Sequence, residues 1–198
     1  MILREQTQVS DAALPVLEFR DHLQLGSGFA DDGSQDAVLI TCLRAALAAV
    51  ESDTGKAVYQ RGFSFTVSQW RDVACQVLPV APVQSLLSMT ITDLLGSSKV
   101  IDPSEYFLAA DYYNPTIRTK GWALPVIATG GTAEIAFKAG FGPEWDDVPA
   151  DLAQAVLMLA AHFYENRSAL ADRAKALPIG VGKLLSRYRP VRLLGGRA

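Results

Sequence analysis

Imidazole and thiol chemistry in this chain rests on four residues: His22, His162, Cys42 and Cys75. His162 lies in the uncharged run Leu152–Tyr164, where a hydrogen-bonded core histidine fits better than a ligand. His22 falls on the polar side of a predicted helix. The cysteines are far apart in sequence and form no CxxC pair, so a reduced pair fits best and a disulfide stays open. No HExxH, His–carboxylate or Gly-x-Ser-x-Gly spacing occurs. Thr129-Gly130-Gly131-Thr132 carries glycines but lacks the strand–GxxxxGK[ST]–helix setting that cradles phosphate. Asp31-Asp32-Gly33-Ser34-Gln35-Asp36 faintly suggests a calcium loop. It lacks the EF-hand spacing and closing glutamate, and helix capping by Asp32 or Ser34 accounts for it. Asp146 and Asp147 could serve as a carboxylate pair, yet they also suit the positive end of the helix that follows. The residues therefore predict no catalytic centre, no metal and no cofactor.

The elements that would position these residues belong to one medium domain. The chain has 198 residues, 49% hydrophobic and 20% charged, enough to bury a core without staples. The N-terminal stretch lacks the apolar core of a signal peptide, and no run reaches transmembrane length, which predicts a soluble protein made in the cytoplasm. Net charge is −3, unevenly spread. From Lys183 onward there are five bases and no acid, leaving thirteen of the 18 bases against all 21 acids elsewhere. An acidic body with a basic end implies that the end has its own partner. Leu184, Leu185, Tyr188, Val191, Leu193 and Leu194 make that end apolar as well, so it is expected to dock rather than float.

Periodicity predicts a short amphipathic helix over Ala13–Leu25, with Leu14, Leu17 and Leu25 on one side. A second helix runs from about Ser34 to Thr54, with Leu39, Leu43, Leu47 and Val50 at helical spacing and Gly55 beyond its end. The period then falls to two. Phe63, Phe65 and Val67 mark a strand, with Val73–Leu78 as its expected partner. Leu87, Met89 and Ile91 mark another, and Tyr106–Leu108 a short third. Gly130-Gly131 reads as a hairpin turn, followed by a strand with Ala133, Ile135, Phe137 and Ala139 on one face. A helix over Val148–Arg167 comes next, with Pro149 at its first position, then a short helix over Pro178–Tyr188. Helices, antiparallel strands, then helices make an α+β fold.

The helix over 148–167 is the most telling element. Apolar all round, it must be covered all round, and its thirteen uncharged residues are too few to cross a bilayer, which takes about 20. Its cover is this chain's own core or a neighbouring subunit. An assembly component is thus expected before an enzyme. The basic end could instead neutralise a few phosphates of nucleic acid, although an acidic body argues against it.

Several motifs resemble phage head–tail connector (adaptor) proteins. Leu39–Leu47 followed by Val50-Glu51-Ser52-Asp53-Thr54-Gly55-Lys56 resembles that family's opening helix and its turn into a strand. Leu78-Pro79-Val80-Ala81-Pro82-Val83-Gln84-Ser85 is similar to its lead-in to the middle strand, and Asp102-Pro103-Ser104-Glu105-Tyr106 to the following turn. The strongest likeness is Lys138-Ala139-Gly140-Phe141-Gly142, then Val148-Pro149-Ala150-Asp151-Leu152, then Ala161-His162-Phe163-Tyr164-Glu165-Asn166-Arg167. The resemblance as a whole covers roughly residues 12–170. The stretch from Leu177-Pro178-Ile179-Gly180-Val181 to Arg192-Leu193 looks most like versions encoded in gene transfer agents, which are phage-derived particles.

The resemblance implies a structural protein of a particle neck. It would form a ring, commonly twelve-fold, between the portal protein and tail-side stopper or terminator proteins, with DNA passing through the lumen. A stopper or tail-completion role in the same particle is the alternative, and a DNA-binding protein a more distant one. The implied organisation is one adaptor domain over 1–177, with a β insertion at about 57–141, and a docking segment over 178–198. The residues expected to dock on the portal are Lys183, Leu184, Leu185, Arg187, Tyr188, Arg189 and Arg192. Removing 183–198 is expected to leave a folded subunit that no longer joins the portal. The face carrying Gln154, Met158 and Ala161 is expected to meet a neighbouring subunit, with core packing the equal alternative at Met158.

Overall fold

The computed structural model describes residues 1–25, 35–166 and 177–189. They form two compact units. The first, a β unit, comprises Met1–Gln8 and Tyr59–Phe141. It contains eight strands: β1 (Ile2–Glu5), β2 (Arg61–Val67), β3 (Cys75–Val77), β4 (Val83–Thr92), β5 (Ser98–Val100), β6 (Tyr106–Ala109), β7 (Thr116–Thr119) and β8 (Thr132–Ala139). One sheet has the order β1-β2-β8-β4-β5, and a second has the order β3-β7-β6. Every pairing is antiparallel.

β8 occupies the middle of the larger sheet. Ala133, Ile135, Phe137 and Ala139 are buried on one face, while Glu134 and Lys138 are exposed on the other. This is the alternation expected of a half-buried strand. Phe63 on β2 lies opposite Phe137, with ring centroids 5.7 Å apart. The Ser64 hydroxyl donates to the Glu134 carboxylate.

Two expectations for the strands change. Leu87, Met89 and Ile91 do not share a face, because β4 shifts register between Leu86 and Ser88. The extra residue of a bulge turns the chain, so Leu87 is half exposed while Met89 is buried. The stretch 73–78 also does not pair with β2. Its three-residue core, β3, pairs with β7. The loop before it is tied elsewhere: the Trp70 indole donates to the Pro125 carbonyl at 2.7 Å, and the Leu124 N–H to the Val73 carbonyl. Those bonds draw the chain out of the larger sheet before β3 begins.

The helical unit comprises Val9–Val58 and Gly142–Arg189. Its helices are α1 (Val16–His22), α2 (Asp36–Thr54), α3 (Ala150–Glu165) and α4 (Ile179–Leu185), the last followed by a 3-10 turn at Ser186–Tyr188. α2 buries Leu39, Leu43, Ala46, Leu47 and Val50 and ends at Gly55, whose φ of 67° is the left-handed cap expected there. The first helix is shorter than its pattern predicts. A 3-10 turn at Asp11–Ala13 precedes it, and Pro15, lacking an N–H, separates the two. The break resets the phase: Leu14 and Phe19 are buried, and Leu17 is 70% exposed. Ion pairs from Arg20 to Asp36 and from Arg44 to Asp11 join this segment to α2. Pro149 caps α3 one residue before its first turn.

The two units differ in charge. The β unit holds seven acids and seven bases, whereas the helical unit holds fourteen acids and nine bases. The acidic excess of the chain is therefore a property of its helices.

Gly140, just after β8, has a φ of +128° and donates its N–H to the Pro82 carbonyl. A Cβ there would run into the backbone of Tyr59. Gly140→Ala is expected to destabilise the protein by more than about 2 kcal/mol, through positive φ and overlap together. Thermal unfolding checks this, and an unchanged midpoint would show that the chain relaxes freely at Gly140.

Candidate functional site

Apart from Arg192, the residues read as interaction sites lie on the helical unit. α3 turns Leu152, Ala155, Val156, Leu159 and Ala160 into its core, a stripe with three- and four-residue spacing. The other sides are only partly covered. Gln154 is exposed, and Leu157, Met158, Ala161 and Phe163 are half-buried. Met158 has a local neighbour, since a Cβ added at Gly180 of α4 would touch its terminal methyl at 3.0 Å. The face carrying Gln154, Met158 and Ala161 is thus open at 154, half open at 161, and flanked by α4 at 158.

The C-terminal segment combines a core side and a charged side. Val181, Leu185 and Tyr188 are fully buried, Leu184 is half-buried, and Lys183, Arg187 and Arg189 are exposed. Arg192 lies outside the described residues. Tyr188 donates its hydroxyl to Asp151 Oδ1 at 2.5 Å. Arg187 Nε reaches Asp151 Oδ2 at 2.8 Å, and its guanidinium carbon lies 4.8 Å from the Tyr188 ring centroid. Arg189 forms a forked pair with Asp53, with Nε to Oδ2 at 2.8 Å and Nη2 to Oδ1 at 3.2 Å. Hydrogen bonding to Asp53 raises the Arg189 guanidinium above its already high ordinary value. Because Leu185 and Tyr188 belong to the core, removing 183–198 would strip buried side chains from the subunit.

The residues considered for chemistry have local roles. Asp147 accepts the Glu144 N–H in a capping box around the 3-10 turn at Trp145–Asp147. His162 Nδ1 lies 3.2 Å from the Asn166 amide at the end of α3. Cys42 and Cys75 are free thiols. Residues 31–34 lie outside the described residues. Among the described residues, no three of His, Cys, Asp and Glu cluster to hold a metal. A groove of about 880 Å3 lies between residues 10–18, the start of α2 and residues 143–146. Of the carboxylates lining it, Asp11 and Asp36 are held in ion pairs by Arg44 and Arg20.

Sequence reasoning singled out neither Asp53 nor Asp151 as an ion-pair partner. Their arginine partners lie 136 and 36 residues away, and no local period signals such pairs. It also missed the exposed loops of the β unit. Trp122 is 98% exposed, Val126 and Val73 are exposed as well, and so are Leu94 and Leu95 in the β4–β5 turn.

No protein-family model matches the chain, and no curated protein does. Solved structures do. The chain is 48% identical, over the whole of both chains, to a protein in the neck of an empty gene transfer agent (GTA) particle computed with C6 symmetry, with a TM-score of 0.91. It is 47% identical to a protein of the virion of a native GTA particle, again over the whole of both chains, with a TM-score of 0.88. A third match, in the neck of a native GTA particle computed with C12 symmetry, is 44% identical over both full lengths, with a TM-score of 0.86.

Tyr188→Phe tests the inner contact of the C-terminal segment. It removes one hydroxyl that donates to a carboxylate and leaves the ring in place. The loss is expected to be about 1–3 kcal/mol, visible as a lower thermal midpoint. An unchanged midpoint would show that the Asp151 contact does not hold the segment.

Proposed function

The chain belongs to the head–tail connector family, in the form found in the neck of gene transfer agent particles, and from that premise we propose that it is the adaptor joining portal to tail. The observation that carries this reading is the full-length match, at 44–48% identity, to proteins of GTA particle necks and of a GTA virion. In this role the chain forms a closed ring on the portal, receives the tail-side stopper or terminator protein on its other side, and surrounds the path of the DNA.

Three features support the reading. Necks computed with C6 and C12 symmetry suit a protein repeated around an axis, where a head-to-tail contact between copies closes on itself. α3 offers such a contact, because Gln154, Leu157 and Ala161 are apolar or neutral and incompletely covered by their own unit. The acidic excess of the helical unit suits a wall past which DNA moves without adhering, since like charges repel. The portal contact falls to the exposed side of α4, at Lys183 and Leu184, held up by buried Leu185 and Tyr188 and by the ion-paired Arg187 and Arg189.

Two experiments check this. Immobilised portal from the same particle is expected to capture the chain in a fixed ratio to portal subunits. Capture by a tail-tube protein and not by portal would make the chain a stopper instead, and salt-sensitive retention on DNA alone would favour a nucleic-acid role. Gln154→Arg is expected to abolish ring formation on the portal while shifting stability by less than about 1 kcal/mol, as for an exposed surface position. Rings that still form with the arginine in place would move the subunit contact off α3.

A further inference from the structure

α4 is poorly equipped to be a helix by itself. It has seven residues, far below the roughly 12–15 that an isolated helix needs, and two of them are Gly180 and Gly182. A Cβ at Gly182 would meet nothing, so no packing requirement there offsets the flexible residue. The segment's order must come from what it is tied to. Those ties are the buried side chains of Val181, Leu185 and Tyr188 and two carboxylates on two other helices.

Asp53 is placed oddly for α2. It sits in the last turn, beside Glu51, and that turn contains no base. Negative charge at a helix C-terminus opposes the helix dipole. Arg189 supplies the missing positive charge through two hydrogen bonds. Asp151, in the first turn of α3, binds both Arg187 and Tyr188. Together the two acids grip three consecutive residues, 187–189, from two sides. With that end fixed and Val181 and Leu185 inward, the opposite side of α4 shows Ile179, 83% exposed, and Lys183 one turn further on.

We propose that Asp53 and Asp151 are positioning residues, which clamp the C-terminal segment to the helical unit so that its Ile179–Lys183 face meets the portal already formed. The inference rests on the adaptor reading. It divides the basic end in two: Arg187 and Arg189 mainly hold the segment, while Ile179, Lys183 and Leu184 make the outward contact.

The test uses the full chain and portal from the same particle. Asp53→Asn and Asp53→Arg break one clamp, and Asp53→Arg combined with Arg189→Asp restores it with the charges exchanged. Hydrogen exchange of residues 179–189 reads the clamp, portal affinity reads its consequence, and the thermal midpoint reads the fold. The single variants should exchange faster in 179–189. If a tenth of the molecules keep the segment in place, apparent portal affinity falls about tenfold. The midpoint should barely move, and the exchanged pair should recover both slow exchange and affinity. Single variants that exchange faster yet bind portal as tightly as wild type overturn the inference and leave the adaptor reading standing. So does an exchanged pair that regains slow exchange without regaining affinity. A wild-type chain that ignores the portal brings down the adaptor reading itself, a failure visible before any variant is made.

Discussion

α3 carries more apolar surface than its own unit covers. Five side chains, at 152, 155, 156, 159 and 160, fill the core. Leu157, Met158, Ala161 and Phe163 are as apolar and only half covered. Burying apolar area contributes about 25 cal/mol per Å2, so such a surface favours association wherever geometry permits it. Much else about the helical unit follows from this. α2 supplies one wall and α4 shelters Met158. In the ring proposed above, the remaining strip would meet a neighbouring copy.

The β unit answers a different requirement. Its larger sheet is organised around β8, which is paired on both sides and buried on one face. Gly140 carries the chain out of that strand beside Tyr59, which leads into β2. The sheet is balanced in charge, while the helices are acidic. In the proposed role the helices would bear the assembly contacts and the acidic wall, while the strands offer apolar loops, with Trp122 the most exposed among them.

The sequence made the helices and the central strand legible because their periods are strong. α2 with its glycine cap, the alternation along β8 and the apolar α3 could all be read from spacing, and so could the α+β class. The misses have physical causes. Pro15 reset the phase of the first helix, moving Leu17 outward and Phe19 inward. A bulge in β4 displaced Leu87, and bulges leave no mark in a short alternating run. β3 changed sheets because Trp70 and Val73, just before it, are hydrogen-bonded to Pro125 and Leu124, far from it in sequence. At the C-terminal segment, composition marked a basic and apolar end, but not which of its residues face inward. Leu185 and Tyr188 turn into the core, and Arg187 and Arg189 turn to Asp151 and Asp53. Only the fold brings those partners together.

The central claim is that this surface is completed by assembly on the portal. Light scattering of the purified chain, alone and then with portal from the same particle, tests it most directly. The account predicts that the 21.3 kDa chain joins the portal as a ring of defined stoichiometry, with a mass increment that is a whole multiple of the chain. A portal whose mass stays unchanged at every salt concentration, with the chain eluting separately, would contradict it.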